Sequence, residues 1–207
     1  NDYERFLRMK DSFMSFKDIN ADKWVINVRG SYSLGTLFFL REHLGEKLFP
    51  HAIESGKGWF HDSRKLLEKI DTDFVLFWVE DHINLKDVSI YNCILEEMAE
   101  SNSEYLNYTW WFLGHSPKVY DEIPNIEYNH VKSFTLNENN VKNLSLLGRQ
   151  PYLISIQSIF STKLFKKIIN MNDPKLRRWP KETPFDFEKK GTDYHWLPIK
   201  MAIPKSE

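Results

Sequence analysis

The chain has 207 residues, 28 Lys+Arg against 29 Asp+Glu, and a formal net charge of −1. That balance excludes a globally basic nucleic-acid binder, whose affinity would come from clustered positive charge. An aromatic fraction of 15% with 42% apolar residues excludes a disordered chain, and the one cysteine, Cys93, excludes an internal disulfide or a Cys-based zinc site.

Phe6, Met9, Phe13 and Phe16 recur at helical spacing and predict an amphipathic helix over 3–16. A turn over 18–22 leads to a short buried strand, 24–28, stopped by Arg29-Gly30-Ser31. A helix over 33–44 closes near Gly45, and a short strand follows over 48–53. Gly56-Lys57-Gly58 forms a loop before a helix over 59–70. The clearest strand is 74–79, Phe-Val-Leu-Phe-Trp-Val, apolar throughout like a strand covered on both faces. It ends abruptly in Glu80-Asp81-His82.

A further helix spans 87–100, with Ile90, Ile94, Leu95 and Met98 on one face. Cys93 falls on its apolar side and reads as core. Residues 105–113 read as an aromatic strand, 116–129 as loop and the Asn-biased stretch 137–143 as a surface loop. A strand over 152–160 and a short helix over 162–169 follow, and the tail from Asp173 reads as irregular. Strands alternating with helices in the first half argue for an α/β fold, with a mixed, mainly parallel sheet flanked by helices. No repeat and no domain boundary is visible, so 1–207 reads as one domain. The longest apolar runs fall far below the ~20 residues of a membrane-spanning helix, and the start has no basic-then-apolar leader pattern, so a cytoplasmic protein is expected.

Several motifs are absent from the sequence: a P-loop, a GxGxxG turn after a strand, a GxSxG elbow, and HExxH or any His pair at i, i+4. What remains is Glu80-Asp81-His82. In open parallel sheets, ligands bind outside the carboxyl ends of strands. Two acids and an imidazole there can hold a hard divalent cation that keeps positions for substrate phosphates. A strand ending in a solvated polar turn is the plainer alternative.

The order helix, strand, helix, short strand, Gly-containing loop, helix, apolar strand, acidic cluster resembles a GT-A glycosyltransferase. In that superfamily the apolar strand ends in a DxD-type motif that binds the donor diphosphate through a metal; Glu80-Asp81-His82 is the matching tripeptide, with Glu and His in place of the outer acids. The stretch Ser155-Ile156-Gln157 through Phe165 is similar to the "SLQ…W…LL" segment of some bacterial sugar transferases, and Pro184-Phe185-Asp186-Phe187-Glu188 to their later "PWxFE" signature. The resemblance covers about 3–188.

It implies a donor half, 1–100, and an acceptor half, 101–207. It implies a Rossmann-like GT-A sheet, a UDP-, GDP- or dTDP-sugar donor, a glycan or other hydroxyl acceptor, and Mn2+ or Mg2+ as cofactor. Asp81 and His82 would hold the metal, and Glu80, Asp81, Arg29, Lys57 and Arg64 would contact the donor. Arg29 reads equally as a member of a surface salt bridge, and Lys57 and Arg64, each taken alone, read first as exposed charges. Glu188 or Asp186 would serve as catalytic base, in an inverting transfer; both also read as surface acids beside Lys189 and Lys190. Trp110, Trp111, Trp179 and Trp196 divide between an acceptor platform and core. The resemblance also places a strand ahead of the first helix, so that strand is expected upstream or replaced by a later one. The rivals are a metal-dependent nucleotidyltransferase and a non-catalytic carbohydrate- or protein-binding module with a degenerate site.

Overall fold

The computed structural model describes residues 2–53, 59–107, 120–146, 158–170 and 196–205. In chain order they form α1 (Asp2–Phe16), β1 (Trp24–Asn27), α2 (Ser33–Leu44), β2 (Leu48–His51), α3 (Trp59–Leu67), β3 (Phe74–Leu76) and α4 (Ile90–Glu100). Then come β4 (Tyr105–Asn107), β5 (Asn125–Glu127), β6 (Val131–Leu136), α5 (Glu138–Leu146), β7 (Ser158–Ser161), α6 (Thr162–Ile169) and β8 (Ile199–Pro204).

The α/β class and the mixed sheet are as expected, but parallel pairing does not dominate. A six-stranded sheet runs β3-β7-β4-β8-β6-β5, and a separate pair, β1-β2, is parallel. Within the larger sheet only β4 and β8 run parallel; the other four pairings are antiparallel. The sequence pattern misleads because β3 does not pair with the strands that precede it. It pairs with β7, more than eighty residues downstream, Val75 opposite Phe160.

The central position falls to β8, in the tail that reads as irregular. Its segment Ile199–Pro204 is bonded on both sides, to β4 at Tyr105↔Met201 and to β6 at Phe134↔Met201. Pro204, which cannot donate a ladder bond, is tolerated at the strand's end. The Asn-biased stretch likewise is not a loop but α5. Its start is a reciprocal cap: Asn140 N–H donates to Asn137 Oδ1 at 3.0 Å, and Asn137 N–H to Asn140 Oδ1 at 3.2 Å. Two short amides here do the work of a capping box.

Alternate strand residues enter two cores. Tyr105, Phe134, Phe160 and Met201 point to one face, under α3, α5 and α6. Leu106, Val131, Ile159 and Ala202 point to the other, under α1, α2 and α4. The apolar run after Asp73 divides the same way. Val75, Phe77 and Val79 pack against the first core; Phe74, Leu76 and Trp78 pack against the second. The run is thus packed on both faces, but the strand expected over 74–79 is shorter: β3 ends at Leu76, and all six residues are half-buried. Trp196 is 3% exposed and belongs to the first core; Trp110, Trp111 and Trp179 lie outside the described residues. Among the described residues no helix is long and apolar enough to cross a membrane.

Candidate functional site

Helix α1 carries two stripes. Phe6, Met9, Phe13 and Phe16 face the core, and Phe13, fully buried, sets its ring edge-on to Trp24, Phe39 and Trp78. One residue earlier along the helix, at the same spacing, runs a polar stripe of Arg5, Arg8, Ser12 and Ser15. This second stripe meets the chain where it leaves β3.

Ser12 is fully buried at that junction. Its hydroxyl accepts from Trp78 Nε1 at 2.9 Å and approaches the carbonyls of Val79 and His82. His82 N–H closes the turn on Val79 O at 3.2 Å. Three residues on, Ser15 Oγ accepts from Asn84 N–H at 2.9 Å, and Asn84 Nδ2 donates to Ser15 O at 3.2 Å. Both ends of the acidic turn are thereby tied to α1 through backbone groups, and its side chains are left outside the core.

Those side chains meet the arginines. Arg5 Nη2 donates to Glu80 Oε1 at 2.6 Å. Burial pushes the Glu80 carboxyl up, but the hydrogen bond and charge of Arg5 outweigh it and hold the group below its ordinary value. The same bond raises Arg5. Asp81 is more open, with 58% of its side chain exposed, and its Oδ1 lies 2.9 Å from His82 Nδ1. The two are out of line for a hydrogen bond, so the buried Nδ1 has no partner among the described residues. Arg5, Arg8, Glu80 and Asp81 line a cleft of about 210 Å³. Among the described residues no group of three His, Cys, Asp or Glu side chains converges as a metal cage.

The structure thus brings Glu80, Asp81 and His82 to one turn. The loop that carries Arg29 packs on the first turns of the same helix. Ser31 Oγ donates to Asp2 Oδ2 at 2.8 Å, and Tyr32 stacks on Phe6 at 5.4 Å between ring centroids. Arg29 itself is exposed. Arg64 is engaged elsewhere, its Nε donating to the carbonyl of Ile169 at the end of α6, 3.2 Å away. Lys57, Asp186 and Glu188 lie outside the described residues. Arg5, Arg8 and Ser12 are not among the residues the sequence pattern singles out. Their signal was present as a second period of three and four beside the apolar one.

A larger groove of about 410 Å³ opens near β5 and β6, where Asn125, Asn137, Asn140 and Lys200 contribute. The Oδ1 atoms of Asn137 and Asn140 are used in the α5 cap, and Asn125 Nδ2 donates to Ile123 O. Of these two clefts among the described residues, the first is the one that joins charged groups of both signs from separate segments. No family model, no curated protein and no solved structure matches the chain.

Proposed function

We propose that the protein is a GT-A-like glycosyltransferase that moves a sugar from a nucleoside-diphosphate donor to a hydroxyl acceptor. The observation that carries the reading is the acidic turn a few residues beyond β3, held by Ser12 and opening on a cleft shared with two arginines. A Mn2+ or Mg2+ ion suits the donors present. Asp81 offers an open carboxylate beside the unpartnered Nδ1 of His82. Hard cations of this kind need only one or two protein ligands when phosphates and water complete the shell. Bound, such an ion supplies Lewis-acid stabilisation of the leaving diphosphate.

The acceptor hydroxyl oxygen attacks the anomeric carbon, the bond from that carbon to the diphosphate oxygen breaks, and the hydroxyl proton passes to a carboxylate, Glu188 or Asp186. Asp81 orients the diphosphate end of the donor, and Arg29 approaches the nucleoside end from the loop after β1. A glycan acceptor and a cytoplasmic location belong to the same proposal. One observation favours the rival reading of a non-catalytic binding module: Glu80 is already committed to Arg5 and is not free for a ligand.

Calorimetry with UDP, GDP and dTDP, with and without Mn2+, tests the proposal. Metal-dependent binding of one nucleotide is expected, abolished by Asp81→Ala. Glu188→Ala should spare binding and remove sugar transfer. Absence of metal-dependent nucleotide binding would overturn the reading; binding without transfer to any hydroxyl acceptor would favour the binding module.

A further inference from the structure

We infer that Arg8 is the anion receptor of the cleft, the residue that takes a phosphate oxygen of a metal-bound diphosphate, while Arg5 serves only to hold Glu80. The inference rests on the donor reading above and goes beyond it by dividing the work between two neighbouring arginines.

Arg5 and Arg8 stand one helical turn apart on α1 and line the same cleft. Their situations differ. Arg5 spends its guanidinium on Glu80 at 2.6 Å. Arg8 is exposed, and among the described residues it makes no ion pair or hydrogen bond. On the acidic side Glu80 is spent on Arg5, and Asp81, with its Oδ1 2.9 Å from His82 Nδ1, keeps 58% of its side chain exposed. The four charges of the cleft cancel, but only one pair cancels by contact. The remainder is a separated positive and negative group, Arg8 and Asp81, facing one small volume.

A simple anion would meet Asp81 as a repulsive neighbour, and a simple cation would meet Arg8. A ligand that carries both signs side by side satisfies both. A diphosphate with its divalent cation is such a ligand, the cation toward Asp81 and the phosphate oxygens toward the planar, multiply donating guanidinium. The volume of about 210 Å³ suits a diphosphate group rather than a whole nucleotide sugar. The nucleoside and sugar would therefore extend outside this cleft.

The test is calorimetric titration of inorganic pyrophosphate into the full chain, with and without Mn2+. The panel is wild type, Arg8→Ala, Arg8→Lys, Arg5→Ala and Asp81→Asn, with circular dichroism confirming that each is folded. Wild type should bind Mn-pyrophosphate more tightly than the metal-free anion. Arg8→Ala should weaken Mn-pyrophosphate by roughly 10- to 100-fold, in line with loss of charge-assisted bonds. Arg8→Lys should fall between the two, because it keeps the charge and loses the fork, and Arg5→Ala should weaken binding less than Arg8→Ala does.

Wild-type affinity in a folded Arg8→Ala would overturn the inference, as would an Arg5→Ala loss equal to or larger than that of Arg8→Ala. If Asp81→Asn abolishes binding while Arg8→Ala leaves it intact, the donor reading stands and the role of Arg8 falls. If pyrophosphate binds through Arg8 but no nucleoside diphosphate binds, the role of Arg8 stands and the donor reading falls. A wild type that binds no pyrophosphate overturns the role of Arg8, and one that binds neither pyrophosphate nor any nucleoside diphosphate overturns both.

Discussion

Two glutamates, each partnered by a basic side chain from a distant segment, do opposite things in this molecule. Glu97 on α4 is 9% exposed. Its carboxylate accepts from the backbone N–H groups of His130 and Val131, at 2.9 and 3.0 Å, and lies 2.8 Å from His130 Nδ1. Glu80 has a side chain 39% exposed, one arginine partner and a cleft in front of it. In both, burial pushes the carboxyl up and the bonds received pull it further down. The difference lies in what each has left to offer. Glu97 is enclosed by donors and pins the entry of β6 to α4. Glu80 is a surface pair at the rim of a charged recess. Depressed carboxyl values therefore accompany an enclosed structural anchor in one place and an open pair at the rim of a cleft in the other, and only the surroundings distinguish them.

Neutralising Glu97 should have the largest effect. Glu97→Ala removes three acceptor contacts and leaves the N–H of buried Val131 without its partner. The expected loss is about 3 kcal/mol, a fall in Tm of roughly 10 °C for a domain of this size. A thermal melt checks it; a shift below about 2 °C would show that His130 and Val131 find other partners. The same group fixes a pH dependence. The folded value lies below the ordinary 4.5, so the contribution is present above that value and fades as pH falls through the folded one. Urea midpoints measured downward from pH 5 should drop in wild type, and the drop should be shallower in Glu97→Gln.

Ser12 stands between the two cases, because it is buried like Glu97 but serves the recess of Glu80. Ser12→Ala leaves Trp78 Nε1 and the turn carbonyls without their hydroxyl. The expected cost is about 1–2 kcal/mol. A stability loss alone would make Ser12 a core residue. A loss of Mn-dependent nucleotide binding in protein that remains folded would make it the residue that positions the acidic turn.

The contrast between these regions also explains which parts were legible from the residues. The apolar stripe of α1 and the acidic end of the run after Asp73 are local patterns, readable in windows of ten or so residues. Arg5, Arg8 and Ser12 follow an equally regular period, but polar residues on a helix read as solvated unless a partner is known, and the partners of Arg5 and Ser12 lie about seventy residues away. β8 was illegible for a related reason. Ile199–Pro204 is a strand because β4 and β6 bond it on both sides, and such pairing leaves no trace in the segment's own composition. The helix α5 hides in poor helix formers whose side chains cap their own first turn.

Glu80→Gln should give the smallest stability effect and the sharpest separation of the two glutamates. An ion pair this exposed contributes about 0–1 kcal/mol, so Tm should move by less than roughly 3 °C. The charge of the cleft, however, changes from balanced to positive, because Arg5 is released while Arg8 and Asp81 stay as they were. Metal-free pyrophosphate should then bind more tightly at low salt, by about three-fold for one added charge a few ångströms away in a high-dielectric surface, and the gain should shrink as salt rises. Neutralising Glu97 would thus weaken the fold, and neutralising Glu80 would strengthen an anion's grip. If instead Glu80→Gln lowers Tm as far as Glu97→Ala does, the Arg5–Glu80 pair is a structural clamp, and the distinction between an enclosed and an open carboxylate fails at its more exposed end.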